Sequence, residues 1–252
     1  MISNSYNKMS HLIYKDKNYR TLIKDDYLKS YQVKVSETDL LIRTDSDLSG
    51  IALESVVNHR NYIEEYIRIK SEFLSSLVPI DDDPQAPVIV REMLRHSKTA
   101  GVGPMASVAG AVAEFVGRDL LKHSESVIVE NGGDIYLKVV RDTRVGIYAA
   151  DSPLSLKFAI RVLPEETPLG LCTSSATVGH SLSFGIADAV CVKSKSAILA
   201  DAAATRIGNR IKKKEDIKDA IEEGLRISGV LGVLAIVGDT MGAAGGIELA
   251  VD

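Results

Sequence analysis

Tryptophan is missing from this chain, phenylalanine occurs only four times and cysteine only twice. The two cysteines, Cys172 and Cys191, are too few for a disulfide framework or a cysteine-only zinc site. No run approaches the roughly 18 to 20 apolar residues that a membrane helix needs. Residues 1–20 are polar and tyrosine-rich, without the apolar stretch of a signal peptide. A basic excess is lacking as well: 30 Lys and Arg stand against 34 Asp and Glu, for a formal charge of −4. Neither nucleic acid nor a membrane is therefore an expected partner, and cytoplasm is the expected compartment. No Pro/Ser-rich linker, charge block or short-period repeat divides the 252 residues, so one domain spanning 1–252 is expected.

Small residues, by contrast, are plentiful and clustered, with 19 glycines in all. Small side chains let backbone come close either to another helix or to a ligand. The periodicity around these clusters predicts the element order. Alternation over 31–35 and 39–43 predicts a hairpin, and a helical apolar stripe runs over 48–77, closed by Pro79 and the acidic turn at 81–84. Helices are predicted at 87–96, 106–121, 197–211 and 215–227. Strands are predicted at 126–129, 135–140, 144–148, 156–162, 169–173 and 187–192, and 231–237 should pair with 246–251 around Gly238-Asp239. Strands in hairpin groups with helices interposed in pairs predict an α+β fold with a mainly antiparallel sheet.

Four segments carry candidate chemistry. Residues 100–110 read A-G-V-G-P-M-A-S-V-A-G, with Gly101, Gly103, Met105 and Ala106 leading towards a helix start. Unpaired N–H groups there suit a phosphate, and the same small residues equally suit close helix packing. The second segment, V-E-N-G-G-D-I-Y, centres on Asn131, Gly132, Gly133 and Asp134; Asn-Gly is a hairpin turn signal, while Asn131 and the flanking acids offer ligand groups. The third, 171–188, is rich in hydroxyls and holds Cys172, Thr173, Ser174, Ser175, His180 and Ser181. A glycine-punctuated hydroxyl loop recognises anionic or heterocyclic ligands, and Cys172 or a serine beside His180 is the candidate catalytic group.

The fourth segment is A-I-L-A-D-A-A-A-T, in which Asp201 is a lone charge among small and apolar residues. An isolated buried carboxylate costs several kcal/mol unless paired or metal-bound. Thr205 lies four residues on, hence on the same helical face, and the two oxygens make half of a Mg²⁺ site. A pairing of Asp201 with Arg206 or Arg210 is the alternative.

Taken in order, the four segments resemble those of the ApbE FAD:protein FMN transferases. A-D-A-A-A-T is similar to that family's Mg²⁺-holding A-D-A-x-A-T, V-E-N-G-G-D-I-Y to its N-x-G-G-[DE]-I turn, C-T-S-S to its T-S-G segment, and G-V-G-P-M-A-S-V-A-G stands where its G-x-x-K-G-x-A helix start lies. A mostly archaeal and bacterial ApbE-like family resembles nearly the whole chain, through E-T-D-L, G-V-G-P-M-A, V-E-N-G-G-D-I-Y, C-T-S-S, G-H-S-L-S-F-G and A-D-A-A-A-T. The resemblance implies an ApbE-like α+β fold, Mg²⁺ on Asp201 and Thr205, FAD or FMN as ligand, and a pocket for a small phosphorylated or heterocyclic molecule. Two features of the transferases have no counterpart: the lysine of the glycine-rich helix start, and the H-x-I-x-[DN]-P-x-T-G segment, whose place is taken by V-G-H-S-L-S-F-G-I-A-D-A-V. The metal and pocket halves carry over and the flavin-transfer half does not. The resemblance also implies a second reading: an accessory protein in anaerobic sulfur assimilation, where homocysteine is made from sulfide. There Cys172 would carry persulfide as a thiolate, and a homodimer or a sulfur-assimilation partner protein would be its company.

Overall fold

The computed structural model describes residues 23–24, 27–176 and 184–251. Twelve strands and six α-helices succeed one another among them. β1 (Ile23–Lys24), the hairpin β2 (Lys29–Val35) and β3 (Thr38–Thr44), α1 (Ser49–Ile69), α2 (Glu72–Ser75), α3 (Val88–Ala100) and α4 (Val108–Leu120) make up the first half. There follow β4 (Val127–Asn131), β5 (Asp134–Lys138), β6 (Thr143–Gly146), β7 (Phe158–Val162), β8 (Leu169–Ser174), β9 (Ala189–Ser194), α5 (Ala197–Arg210), α6 (Asp216–Leu225), β10 (Val230–Val237), β11 (Thr240–Gly245) and β12 (Glu248–Val251).

The strands form two antiparallel sheets, an eight-stranded one in the order β11-β10-β9-β8-β5-β4-β3-β2 and a four-stranded one in the order β1-β6-β7-β12. Period-two alternation divides the core between them. Val127, Val129, Tyr136, Cys172, Val190, Val192, Val233 and Ala235 turn to the helices. Ile128, Ile135, Leu137, Leu169, Leu171, Cys191, Leu234 and Ile236 turn to the small sheet. The α+β architecture with mainly antiparallel strands and paired helices is thus realised in three layers, with the large sheet in the middle. No single helix among the described residues is long and apolar enough to cross a membrane.

Two elements depart from the sequence expectation. The helical stripe over 48–77 breaks at Lys70, because Phe73 turns back to set its buried ring edge-on against Tyr66, 5.2 Å away. The partner of β10 is β11, not residues 246–251. Those residues leave the large sheet as β12 and pair with β7 in the small one. Beside this crossing Lys193, only 2% exposed, donates to Glu166 Oε1 (2.6 Å) and to the carbonyl of Gly246 (2.9 Å), tying β9 to the chain that changes sheet.

Candidate functional site

Asn131, Asp134, Cys172 and Asp201 come together at one end of the large sheet, on its helix side. β4 and β5 are joined by Gly132 and Gly133, both at positive φ (67° and 107°), so the Asn-Gly-Gly-Asp segment is a two-residue hairpin turn. The strand register then decides what the turn presents. Asp134 lies two residues from Tyr136, hence on the helix face, and stands opposite Cys172 of β8. Asn131 donates from Nδ2 to the carbonyl of Ala109 at the start of α4 (3.2 Å), fastening the hairpin to that helix.

Asp201 comes to the same place from α5. Its Oδ2 accepts the backbone N–H of Gly110 at 2.9 Å, and the Ala109 N–H adds a second backbone bond to the carboxyl. These are first-turn amides of α4, which no intrahelical carbonyl can satisfy, so Asp201 fills the anion site at that helix end. The arginine alternative is not what the structure shows. Arg206 and Arg210 both pair with Glu223 of α6, at 3.0 and 3.1 Å.

Asp134 and Asp201 therefore face each other with no ion pair among the described residues. Burial pushes the Asp134 carboxyl up to about 7, against bonds from Cys172 and the Thr173 backbone, and the charge of Glu130 adds to the rise. Burial and then the charge of Asp134 push Asp201 well above the usual carboxylate range. Asp134 Oδ1 is buried without a hydrogen-bond partner. Thr205 stands one turn beyond Asp201 on α5. Two carboxylates, one of them with an unsatisfied buried oxygen, and a hydroxyl fit a hard divalent cation such as Mg²⁺, which takes few protein ligands and completes its shell with water or substrate oxygens. No group of three or more His, Cys, Asp and Glu side chains suited to a metal occurs among the described residues. A softer ion held wholly by the protein is not what this donor set suits.

Other sequence candidates fare differently. Gly101 is the left-handed C-cap of α3 (φ 72°), and a Cβ on Gly103 would stand 1.8 Å from the carbonyl oxygen of Ser76. The left-handed backbone thus accounts for Gly101 and close packing for Gly103, and the amides expected to receive a phosphate receive Asp201. Met105 and Ala106 lie half-buried in a 3-10 turn, Pro104–Ser107, against α5. Ser174 lies on the helix face, its Oγ 3.6 Å from where a Cβ of Gly208 would stand, and Ser175 follows half-buried at the strand end. Thr173, the intervening residue, turns its hydroxyl to the opposite face, 3.1 Å from Cys191 Sγ. Only its backbone reaches Asp134. The Cys172 thiol is fully buried and donates to the carbonyl of Ala197 at 3.3 Å. Burial, then the neighbouring charges of Asp134 and Asp201, push it well up. A thiolate, which both the nucleophile and the persulfide readings require, is disfavoured here. His180 and Ser181 lie outside the described residues. The juxtaposition of Asp134 with Asp201 went unforeseen, although alternation from Tyr136 already assigned Asp134 its face. A cavity of about 590 Å³ bordered by Lys122, His123, Glu125 and Lys138 lies at the far end of β4 and β5, away from this cluster.

An eight-stranded antiparallel sheet backed by a smaller sheet, with the A-D-A-A-A-T helix set against an Asn-Gly-Gly-Asp hairpin, defines a protein of ApbE-like class. The chain belongs to the family described as AbpE bacteria, whose model matches residues 20–241. It is similar to a UPF0280 protein of Methanococcus aeolicus, 39% identical over 222 residues that cover 86% of this chain and 90% of the relative. A UPF0280 protein of Methanocaldococcus jannaschii is 40% identical over 222 residues with the same coverage. The fold is shared with the apo flavinyl transferase ApbE of Pseudomonas stutzeri at a TM-score of 0.55 and 14% identity, covering 88% of this chain and 96% of that one. It is also shared with a mutant of the flavin transferase ApbE of Vibrio cholerae at a TM-score of 0.50 and 15% identity, covering 86% and 97%.

Proposed function

We propose that Asp134, Asp201 and Thr205 hold a Mg²⁺ ion that binds the phosphates of a nucleotide or other phosphorylated ligand, FAD first among the candidates, at the end of the large sheet beside α4 and α5. The observation that carries the reading is the Asp134 Oδ1 atom, buried and unpartnered near the half-buried Asp201 carboxylate. Two such charges in one apolar setting repel each other, and a cation removes both penalties at once. When bound, Mg²⁺ supplies charge neutralisation at phosphate oxygens. The chain supplies the setting: the Ala109 and Gly110 amides fix Asp201, and Asn131 fixes the hairpin that carries Asp134. The solved structures that share the fold are those of flavin transferases, and this supports FAD as the first ligand to try.

Calorimetric titration of Mg²⁺ into EDTA-treated protein tests the proposal. One ion per chain is expected, with at least about tenfold weaker binding, some 1.4 kcal/mol, in Asp134→Asn and in Asp201→Asn. Wild-type protein that takes up no Mg²⁺ with or without FAD overturns it.

A further inference from the structure

Resting on that reading, we propose that Phe184 is the stacking platform for the planar ring of the ligand, which makes the preferred substrate class a nucleotide over a simple phosphate ester. Phe184 is 53% exposed, whereas Phe73 is buried and Phe115 and Phe158 are partly covered. Its backbone, unlike its ring, is firmly held. The Phe184 N–H donates to Asn209 Oδ1 at 2.8 Å, Lys212 Nζ donates to the Phe184 carbonyl, and the Ile186 N–H donates to the carbonyl of Ile211 at 3.0 Å. Gly185 lies so close to α5 that a Cβ would stand 2.0 Å from the carbonyl oxygen of Gly208. An exposed aromatic side chain on an anchored backbone loses little conformational freedom when a ring stacks on it.

The helix supplies the ruler. Asp201, Thr205 and Asn209 follow one another at successive i+4 positions along α5. Eight residues at ~1.5 Å each put Asn209, with Phe184 fastened to it, about 12 Å along the axis from Asp201. That is the span of a sugar and a diphosphate, so phosphates at the carboxylate pair put the heterocycle beside Phe184. A bare phosphate ester leaves the ring untouched. Base stacking on an aromatic side chain is sequence-tolerant, so both adenine and isoalloxazine satisfy it.

The test compares FAD, ADP and inorganic pyrophosphate, each with Mg²⁺, on wild type, Phe184→Ala and Phe184→Trp. Phe184→Ala is expected to weaken FAD and ADP about tenfold while leaving pyrophosphate unchanged. Because the chain has no tryptophan, Phe184→Trp carries the sole indole. Its emission is expected to change with ADP and to stay constant with pyrophosphate. Unchanged nucleotide affinity in Phe184→Ala, or nucleotides binding wild type no tighter than pyrophosphate, overturns the stacking role and leaves the cation site standing. Wild-type protein that takes up no Mg²⁺, alone or with any of the three ligands, overturns the cation reading, and the platform with it.

Discussion

Burial favours the protonated carboxyl at both Asp134 on β5 and Asp201 on α5, and the charge of Glu130 adds to this at Asp134 and that of Asp134 at Asp201. An unfolded aspartate titrates near ~4, and Asp134 in the folded chain near about 7. The folded state therefore binds more protons across that interval. The stability this gives is complete below about pH 4 and is lost as pH rises through 7. Asp119 works in the opposite sense: burial alone would raise it, but bonds from Lys122, Ser55 and His59 hold it down to about 2. Its contribution is present above the unfolded value and disappears in acid. A comparison with Asp134→Asn isolates the first effect, since the amide cannot ionise. In EDTA, the variant should gain on wild type in melting temperature as pH rises from 5 to 8, and added Mg²⁺ should shrink that gain. A difference that stays flat across this range would mean that Asp134 does not titrate under strain.

Among elements, the contact of α4 with α5 decides whether the site exists. A Cβ on Gly110 would stand 2.3 Å from the carbonyl oxygen of Ala197 and 2.9 Å from Asp201 Cβ. Alanine raises helix propensity by up to about 1 kcal/mol, but the obstacle is helix backbone that cannot step aside, so overpacking of about 1–3 kcal/mol wins. Gly110→Ala is expected to lower stability in urea titration and to weaken Mg²⁺ binding by moving the amide that holds Asp201. A more stable variant would show that the two helices have room to part. The same contact explains what the sequence discloses. A lone aspartate among alanines and the turn residues around Asn131 mark the helix and the hairpin, because those signals are local. β11 reads T-M-G-A-A-G, in which Thr240 is the one strand-forming side chain, and Gly242 must admit Ile217 and Ile221 of α6 within 3 Å of its missing Cβ. Such a requirement lies on another element and leaves no periodicity. The meeting of Asp134 with Asp201 is equally non-local: it depends on the β5–β8 register and on the approach of α4 to α5.

At the scale of the whole molecule, three layers put Asp134 and Asp201 on the helix side of the large sheet, and the fold is shared with a flavinyl transferase at 14% identity. Fold alone does not carry activity, which resides in the groups placed at the reacting atoms. Between C-T-S-S and A-D-A-A-A-T the transferases carry H-x-I-x-[DN]-P-x-T-G, and this chain carries V-G-H-S-L-S-F-G-I-A-D-A-V. The described part of that stretch is engaged in holding the fold. Phe184 and Ile186 fasten to the end of α5, the Ala187 carbonyl accepts from Ala176, and the Asp188 N–H donates to Ile236 of β10. Displacing a positioned group by about 1 Å can cost about 100-fold in rate, so replacing the segment should cost more. The expected outcome is that the protein, mixed with FAD, Mg²⁺ and a flavin-acceptor protein, leaves no covalent fluorescence on the acceptor in a denaturing gel, although it binds the metal. A parallel reaction with an active ApbE transferase shows that the acceptor is competent. Robust labelling by this chain that disappears in Asp201→Ala would overturn the expectation, because the carboxylate helix and the present loop would then suffice for transfer without the missing segment.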